Sequence, residues 1–224
     1  MNPASSQFSP AHYWAQGDGI SHAVAYVLLL MSLLSWYVIL SKAIQAWRMR
    51  RSADAVEAFW AAPGMPDAIA QLALLDRERL FLPLAQLAAA PPQASLALNP
   101  GEHATRLLRG AILRVTQRLE GGLTLLASIG STAPFVGLLG TVWGIYHALA
   151  AVSLSGAMQI DKVAGPVGEA LIMTGLGLVV AIPAVLSYNG FNRMNRLMLA
   201  ELDGFAHDLH ARHTRLAAHG GEPA

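Results

Sequence analysis

Glu169 is an acidic residue inside a long apolar segment, and its position suggests proton chemistry. An ionisable side chain at the centre of a membrane span costs at least about 2.5 to 3.5 kcal/mol, so it is by default a functional candidate. Burial disfavours the charged carboxylate, which would let Glu169 take up and release a proton near neutral pH. A second interpretation stays open, because Glu169 lies about two turns from the outer end of its segment and could extend to the membrane surface.

Two hydroxyl residues, Thr141 and Thr174, each lie in a row of small residues. Threonine hydroxyls in membrane helices commonly bond to their own backbone, so the two rows could simply pack together. Alternatively, both rows line a central space that holds water or another helix. On an ideal helix Glu169 and Thr174 are about 140° apart, so they do not share a narrow face. The candidates for a pore or proton path are therefore Thr141, Thr174 and Glu169.

The small residues recur regularly along the two apolar segments. In residues 123–152 two sets recur every seven residues, namely Gly130, Gly137, Gly144 and Ala151, and beside them Ala127, Pro134, Thr141 and Ala148. Residues 163–188 carry a matching row of Ala170, Thr174, Gly177, Ala181 and Ala184. Small residues let membrane helices approach closely. The residues expected to pack the helices together are Gly130, Pro134, Gly137, Gly140, Gly144, Gly177 and Pro183.

Motifs for other kinds of chemistry are missing from the sequence. It contains no Walker A loop, no GxSxG motif and no dinucleotide-binding fingerprint, so we predict neither an enzyme nor a catalytic residue. There is no cysteine, and histidines such as His207 and His210 lack the spacing of a metal site. We therefore expect no metal and no cofactor, and nothing in the charge pattern indicates nucleic-acid binding.

The composition places these candidates in a membrane protein. Of 224 residues, 54% are hydrophobic and 13% charged, whereas soluble domains carry about 25% charged residues. Three apolar segments are long enough to span a bilayer. The predicted regions are an N-terminal tail at 1–19, spans at 20–41, 121–152 and 163–190, a cytoplasmic helical region at 42–120, an outer loop at 153–162, and a cytoplasmic C-terminal helix and tail at 191–224.

The charge distribution predicts the orientation of the three spans. No basic residue precedes Lys42, so the first span does not resemble a signal peptide and is expected to be an uncleaved anchor. Basic residues cluster after the first span, before the second and after the third, at Lys42, Arg48, Arg50, Arg51, Arg106, Arg109, Arg114, Arg118, Arg193 and Arg196. Positive charge favours the cytoplasmic side, so the N-terminus is predicted outside and the C-terminus inside.

The cytoplasmic sequence is predicted to be helical throughout. One helix is expected after a capping Ser52, a second over 66–92 where apolar residues recur at helical spacing, and a third after a capping Asn99. The third is expected to continue into the second span through residues 121–122. The stripe of Met194, Met198, Glu201, Leu202, Phe205 and Leu209 extends the third span into the cytoplasm. The predicted fold is an all-α integral membrane protein with three transmembrane helices, two of them long and extending into the cytoplasm as a helical bundle.

Residues 130–189 resemble a known family. The stretches GSTAPFVGLLGTVWGIYHAL and IDKVAGPVGEALIMTGLGLVVAIPAVLSYN are similar in order and spacing to the MotA/TolQ/ExbB proton-channel family, most of all to its ExbB branch. The resemblance implies a ring, usually a pentamer, around the transmembrane helices of an ExbD dimer in the bacterial inner membrane. Proton flow through that motor energises TonB, which opens outer-membrane transporters for iron siderophores and cobalamin. A TolQ-like subunit for outer-membrane integrity and a MotA-like stator subunit are the alternatives.

The resemblance also implies roles for particular residues. Glu169 matches the family's glutamate in the third span, and Thr141 and Thr174 match its pore-facing threonines. The hydroxyls would orient water or hydrogen-bond a proton-carrying aspartate, which belongs to the ExbD-like partner. Glu169 would act at the proton path or hold the subunit interface. A purely structural membrane scaffold, in which the hydroxyls are incidental, is the contrasting hypothesis.

Overall fold

The computed structural model describes residues 19–49, 53–89, 100–155 and 161–219, and these residues form helices joined by short turns. The helices are α1 (Gly19–Met49), α2 (Ala53–Ala61), α3 (Met65–Leu75), α4 (Leu82–Ala89), α5 (Pro100–Glu120), α6 (Leu123–Ser155) and α7 (Asp161–His219). No strand occurs among the described residues, so the all-α prediction is confirmed for them. The predicted caps Ser52 and Asn99, the tail at 1–18 and residues 156–160 lie outside the described residues.

Three of these helices are long and apolar enough to cross a membrane. They are α1, α6 and α7. The apolar segments at 20–41, 123–152 and 163–188 of the sequence lie within these three helices, in that order. α7 continues without interruption from Asp161 to His219, as the apolar stripe after the third span predicts. Pro134 lies within α6, where it leaves one backbone carbonyl without its helical N–H partner.

The chain divides into two compact units. The first contains residues up to Leu40 and Gly122–Asn189, and the second contains Ser41–Gly121 and the residues from Gly190 onward. Within the first unit, α6 and α7 pack closely because small residues face each other. Val24 of α1 also packs against α6, at Gly140. A Cβ atom placed on Gly140 would lie 3.0 Å from Cγ1 of Val24.

The second unit has its own hydrophobic core. Phe205 of α7 lies at its centre, with ring centroids 5.1 Å from Phe59 of α2 and 5.3 Å from Phe81. Both contacts are edge-to-face, an arrangement that aromatic rings favour. Leu202 and Leu209, one turn before and after Phe205, are also buried, so the apolar part of the predicted stripe on α7 forms this core. Glu201, which the stripe also included, is exposed.

Residues 66–92 do not form the single helix that their apolar spacing predicts. The helix ends at Leu75 and a new one begins at Leu82. Between them the buried carboxylate of Asp76 accepts hydrogen bonds from the backbone N–H groups of Phe81 (2.8 Å) and Leu82 (3.0 Å). These donors have no carbonyl partner at the start of a helix, so the Asp76 side chain stabilises the break.

α5 and α6 are also separate helices, which corrects the expectation of one helix through residues 121–122. Gly122 has a φ of +82°, a left-handed conformation that glycine adopts without steric cost. This conformation interrupts the helix between Glu120 and Leu123. A Cβ atom at Gly122 would also lie 3.0 Å from Cγ1 of Val38 on α1, so both the conformation and the space at this turn favour glycine.

Candidate functional site

Thr141 and Thr174 are brought together in the first unit. The Thr141 side chain lies on α6 and is only 6% exposed, and its hydroxyl oxygen is 2.5 Å from that of Thr174 on α7. The Thr141 oxygen is also 3.1 Å from the carbonyl oxygen of Gly137 and 3.1 Å from that of Ala170. One buried hydroxyl therefore contacts its own helix, the backbone of α7 and a second hydroxyl.

The hydrogen-bond capacity of a hydroxyl restricts how this cluster works. Each threonine hydroxyl has one proton to donate and two lone pairs, whereas the carbonyl oxygens of Gly137 and Ala170 can only accept. If Thr141 donates to a carbonyl, then Thr174 is the donor between the hydroxyls. If Thr141 donates to Thr174 instead, the proton of Thr174 is released for another acceptor. The pair therefore has two proton arrangements, which differ by rotation of the hydroxyls.

The glycines of α6 bring the two hydroxyls within reach of each other. A Cβ atom on Gly137 would lie 2.6 Å from the carbonyl oxygen of Met173 and 3.2 Å from the Cα of Gly177. One on Gly177 would lie 2.7 Å from the Ala133 carbonyl oxygen and 3.3 Å from the Cα of Pro134. The two backbones therefore approach more closely than any larger residue would permit, directly beside the threonine pair.

The same contacts fix the register of α6 and α7. Gly130 lies against Val185, Gly137 against Gly177, and Gly144 against Ala170, where an added Cβ would be 2.9 Å from the alanine Cβ. Each step of seven residues toward the C-terminus of α6 is therefore matched by a step of seven or eight residues toward the N-terminus of α7. This is the pattern expected for two antiparallel helices. Thr141 and Thr174 occupy matching positions in this register.

The remaining sequence candidates lie at different places in the first unit. Gly140 lies beside Met173, whose Cβ and Cγ would each be 3.2 Å from an added Cβ. Pro183 is a partly exposed residue in the middle of α7. Glu169 belongs to α7, at the position before Ala170, but its side chain lies outside the described part of the structure. The structure therefore unites the two threonines and leaves the role of Glu169 a prediction.

A polar cluster in the second unit was not predicted from the sequence. The backbone carbonyl of Leu119, near the end of α5, accepts hydrogen bonds from Nζ of Lys42 (2.8 Å) and Nδ2 of Asn195 (2.8 Å). Lys42 also donates to the Arg118 carbonyl (3.4 Å) and to Oε1 of Gln45 (3.0 Å). This Leu119 cluster joins α1, α5 and α7 at the free carbonyl groups that every helix has at its C-terminus.

The charge of Lys42 also suits this position. Burial lowers the pKa of the Lys42 ammonium, while the nearby Glu78 carboxylate raises it in part. A cation near the last carbonyls of a helix interacts favourably with the helix dipole.

The sequence contained an ambiguous signal for this cluster, because Lys42 was interpreted only as a basic residue on the cytoplasmic side of the first span. Asn195 is only 6% exposed although Arg196 follows it directly in the sequence, so no local pattern identified it as a buried polar contact.

Comparison with known proteins identifies the family. A model of the MotA/TolQ/ExbB proton channel family matches residues 82–203. The chain is 46% identical over 207 residues to the biopolymer transport protein ExbB of Xanthomonas campestris pv. campestris, covering 87% of this chain and 82% of that protein. It is 40% identical over 209 residues to ExbB of Neisseria meningitidis, with coverages of 88% and 93%. It is 31% identical over 214 residues to the Tol-Pal system protein TolQ of Pseudomonas aeruginosa, with coverages of 88% and 90%.

These matches are much longer than the 60-residue region of the sequence resemblance, and the family match includes residues 82–121 and 190–203 of the second unit. Together with three helices of membrane length, they show that the chain is a multi-pass membrane protein that belongs to the MotA/TolQ/ExbB proton channel family.

Proposed function

We propose that this chain is an ExbB-like subunit of a motor in the bacterial inner membrane that is driven by the proton-motive force. Copies of the chain form a ring, a pentamer, around the transmembrane helices of an ExbD-like partner that carries a protonatable aspartate. The motor energises a TonB-like protein, which opens outer-membrane transporters for siderophore-bound iron and cobalamin. The N-terminus lies outside the cytoplasm and the C-terminus inside it.

The observation that carries the choice of ExbB is the degree of similarity over nearly the whole chain. ExbB proteins from two bacteria are 46% and 40% identical to it, whereas TolQ of Pseudomonas aeruginosa is 31% identical over a comparable length. The matched length covers 82% and 93% of those ExbB proteins, so the similarity is not restricted to the glycine-rich spans.

The threonine pair supports a role in proton movement. Thr141 and Thr174 form a short hydrogen bond between α6 and α7, and either oxygen can be the donor. Thr174 is less buried than Thr141, which supports Thr174 as the member of the pair that meets water or a carboxyl group outside the chain. Rotation of the two hydroxyls would let Thr174 present either a proton or a lone pair to the aspartate of the ExbD-like partner.

Glu169 is the second proposed component of the proton path. It stands one residue before Ala170, whose carbonyl oxygen accepts the Thr141 hydrogen bond, so its Cα lies within a few ångströms of the threonine cluster along α7. An acidic residue at this depth of a span takes part in proton transfer or holds the subunit interface, and both roles would be lost on substitution by alanine.

Siderophore-dependent growth under iron limitation tests the proposal. A strain lacking this gene is complemented with the wild type, with Glu169→Ala, or with the double variant Thr141→Val, Thr174→Val. Membrane levels of each protein are measured at the same time. We expect growth with the wild type alone, because each variant removes a polar group of the proton path. Growth with all three proteins would instead favour a structural scaffold in which the polar groups are incidental.

A parallel test separates the ExbB-like from the TolQ-like function. The wild-type gene is also placed in a TolQ-deficient strain, and outer-membrane integrity is measured by resistance to detergent. An ExbB-like subunit restores siderophore-dependent growth more fully than detergent resistance. The opposite result would assign the chain to the TolQ-like system.

A further inference from the structure

The second unit contains a basic groove. It has a volume of about 760 Å³, and Arg106, Arg109 and Gly110 of α5 line it together with Glu102. Nη1 of Arg114 lies beside the same glycine, 3.6 Å from a Cβ atom placed on it. No ion pair joins these arginines to an acidic side chain in the described ranges. The groove therefore presents three cations and one acid, which suits a partner with negative charge.

α7 carries an exposed acidic stripe, formed by Glu201, Gly204 and Asp208. Their intervals of three and four residues place them on one face of the helix. Both carboxylates are exposed, and a Cβ atom placed on Gly204 would meet no described atom within 4 Å. Within the part of the chain that the structure describes, neither carboxylate forms an ion pair. The acidic stripe is therefore a negatively charged surface with open space at its centre.

The basic groove and the acidic stripe lie on different sides of α7. His210 also lines the groove, and it stands two residues after Asp208 and nine residues after Glu201. At 100° per residue, His210 is about 160° from Asp208 and about 180° from Glu201 around the helix axis. One copy therefore cannot place its own acidic stripe in its own groove. A second copy can do so by a head-to-tail contact, the kind of contact that closes into rings.

The two surfaces also match in level along the helices. Nδ2 of Asn195 donates a hydrogen bond to the carbonyl oxygen of Leu119, so these two residues are level in the antiparallel pair of α5 and α7. Gly110 is nine residues before Leu119, and Gly204 is nine residues after Asn195. Both glycines are therefore about 14 Å from that hydrogen bond. The open centre of the acidic stripe has the same level as the glycine of the groove.

The charged residues match in the same way. Arg106 and Asp208 are each thirteen residues from the Leu119 hydrogen bond, a distance of about 20 Å, and Arg114 and Glu201 are five and six residues from it. α7 includes a membrane span and continues through the second unit as one helix, so its axis lies within about 20° of the membrane normal. Copies related by rotation about that normal keep each residue at its own level, so opposite charges meet.

We propose that neighbouring copies of this chain bind head to tail, with the acidic stripe of one copy seated in the basic groove of the next. This interface rests on the ring of the proposed function and gives each subunit a defined neighbour. Arg106 faces Asp208 of the neighbouring copy, while Gly110 and Gly204 let the two helices approach closely. An exposed ion pair contributes little alone, but complementary charges at matched levels fix the orientation of the two surfaces.

Cross-linking through introduced cysteines tests this interface, because the chain contains no cysteine of its own. The chain carrying Gly110→Cys and Gly204→Cys is expressed in membranes and treated with a short bis-maleimide. We expect a ladder of multimers on a denaturing gel, since every copy offers one cysteine to each neighbour. Each single variant should stay monomeric, and the two single variants expressed together should give dimers only.

Gly190 provides the matched control position. It lies on the same side of α7 as Gly204, fourteen residues earlier, and a Cβ atom there would also meet no described atom within 4 Å. Along the helix the two positions are about 21 Å apart. The pair Gly110→Cys with Gly190→Cys should therefore give no multimers. Arg109→Cys, at an exposed position of the groove, replaces Gly110→Cys if that variant does not accumulate.

Charge reversal tests the electrostatic part of the interface. Added to the cysteine pair, Arg106→Glu sets two carboxylates against each other and should lower the yield of multimers about tenfold or more. Further addition of Asp208→Arg should restore the yield, which a misfolded chain would not do. The yield from the original cysteine pair should also fall between about 0.1 M and 1 M salt, because the Debye length shortens from about 10 Å to about 3 Å.

The outcomes separate this interface from the ring itself. If native mass spectrometry shows a wild-type ring and the cysteine pair gives no multimers, the interface is wrong while the proposed function stands. Dimers formed by either single variant would show a symmetric contact and would also overturn it, as would a yield that Arg106→Glu leaves unchanged. If the wild type is monomeric, the ring and this interface fail together.

Discussion

The hydroxyl oxygens of Thr141 on α6 and Thr174 on α7 lie 2.5 Å apart, and the two helices meet there through glycine. Thr141 also contacts the carbonyl oxygens of Gly137 and Ala170, both at 3.1 Å. A buried hydroxyl with three partners holds the geometry of the helix pair, and rotation of the two hydroxyls reverses which of them donates. The packing and the proposed proton path therefore depend on the same atoms.

The threonine pair should show a measurable coupling energy. We expect the double-mutant cycle of Thr141→Val and Thr174→Val to give a coupling of roughly 0.6 kcal/mol, and at most about 1.7 kcal/mol, the range found for hydrogen bonds between membrane helices. The free energy of unfolding in detergent measures it. Thr132→Val provides the control, because the Thr132 hydroxyl is exposed and bonds to the Ser128 carbonyl of its own helix (2.7 Å). A coupling between Thr141 and Thr174 no larger than that between Thr132 and Thr174 would contradict the prediction.

Gly137 and Gly175 should respond in opposite ways to the same small substitution. Gly137→Ala puts a Cβ atom 2.6 Å from a backbone oxygen that cannot move easily, so we expect a loss of about 1–3 kcal/mol of stability. Gly175→Ala meets no described atom within 4 Å and gains helix propensity, so it should be neutral or slightly stabilising. Thermal unfolding of the purified proteins distinguishes the two. Equal melting temperatures would mean that α6 and α7 do not approach at Gly137.

The two donors to the Leu119 carbonyl should be non-additive. Asn195→Ala leaves Lys42 as a donor, and Lys42→Met leaves Asn195, so each single variant should lose about 1 kcal/mol. The double variant leaves a carbonyl at the end of α5 without either donor, and we expect its loss to exceed the sum of the two. Chemical denaturation measures these energies, with the partly exposed Asn192→Ala as the control. A strictly additive double variant would show that the two side chains do not serve the same carbonyl.

Asp76 should stabilise the second unit through the start of α4. Asp76→Ala removes the acceptor for two backbone N–H groups in a buried turn, and we expect a loss of about 1–2 kcal/mol. Asp76→Asn keeps one carbonyl oxygen as an acceptor and should lose less. Asp67→Ala, at an exposed position in the first turn of α3, is the matched control. The prediction is wrong if Asp76→Ala and Asp67→Ala unfold at the same denaturant concentration.

The sequence was sufficient for the apolar helices and insufficient for the breaks between helices. The three membrane-length helices follow from composition and length, which are properties of the chain alone. The break at Asp76 was missed because apolar residues continue on both sides of it at helical spacing, and only the tertiary burial of the carboxylate makes the turn stable. The interruption at Gly122 was missed because two adjacent glycines are compatible with both a turn and a membrane helix.

The candidate site, too, could be predicted only in part from the sequence. The spacing of small residues identified Thr141 and Thr174 as members of two facing rows, but it left two arrangements of those rows open. Direct pairing of the hydroxyls depends on the register, which the contacts of Gly137 and Gly144 with α7 determine. The Leu119 cluster depends on three helices that are far apart in the chain, so no local pattern predicts it.

The most direct test of the central claim is the proton flux of the reconstituted complex with and without the threonine hydroxyls. Wild type, Thr141→Val with Thr174→Val, and the control Thr132→Val are each assembled with an ExbD-like partner in vesicles, and flux is compared at equal amounts of assembled complex. We predict flux with the wild type and with Thr132→Val, and loss of flux with the double variant. A double variant that assembles and conducts as well as the wild type would contradict the claim that this hydroxyl pair lies on the proton path.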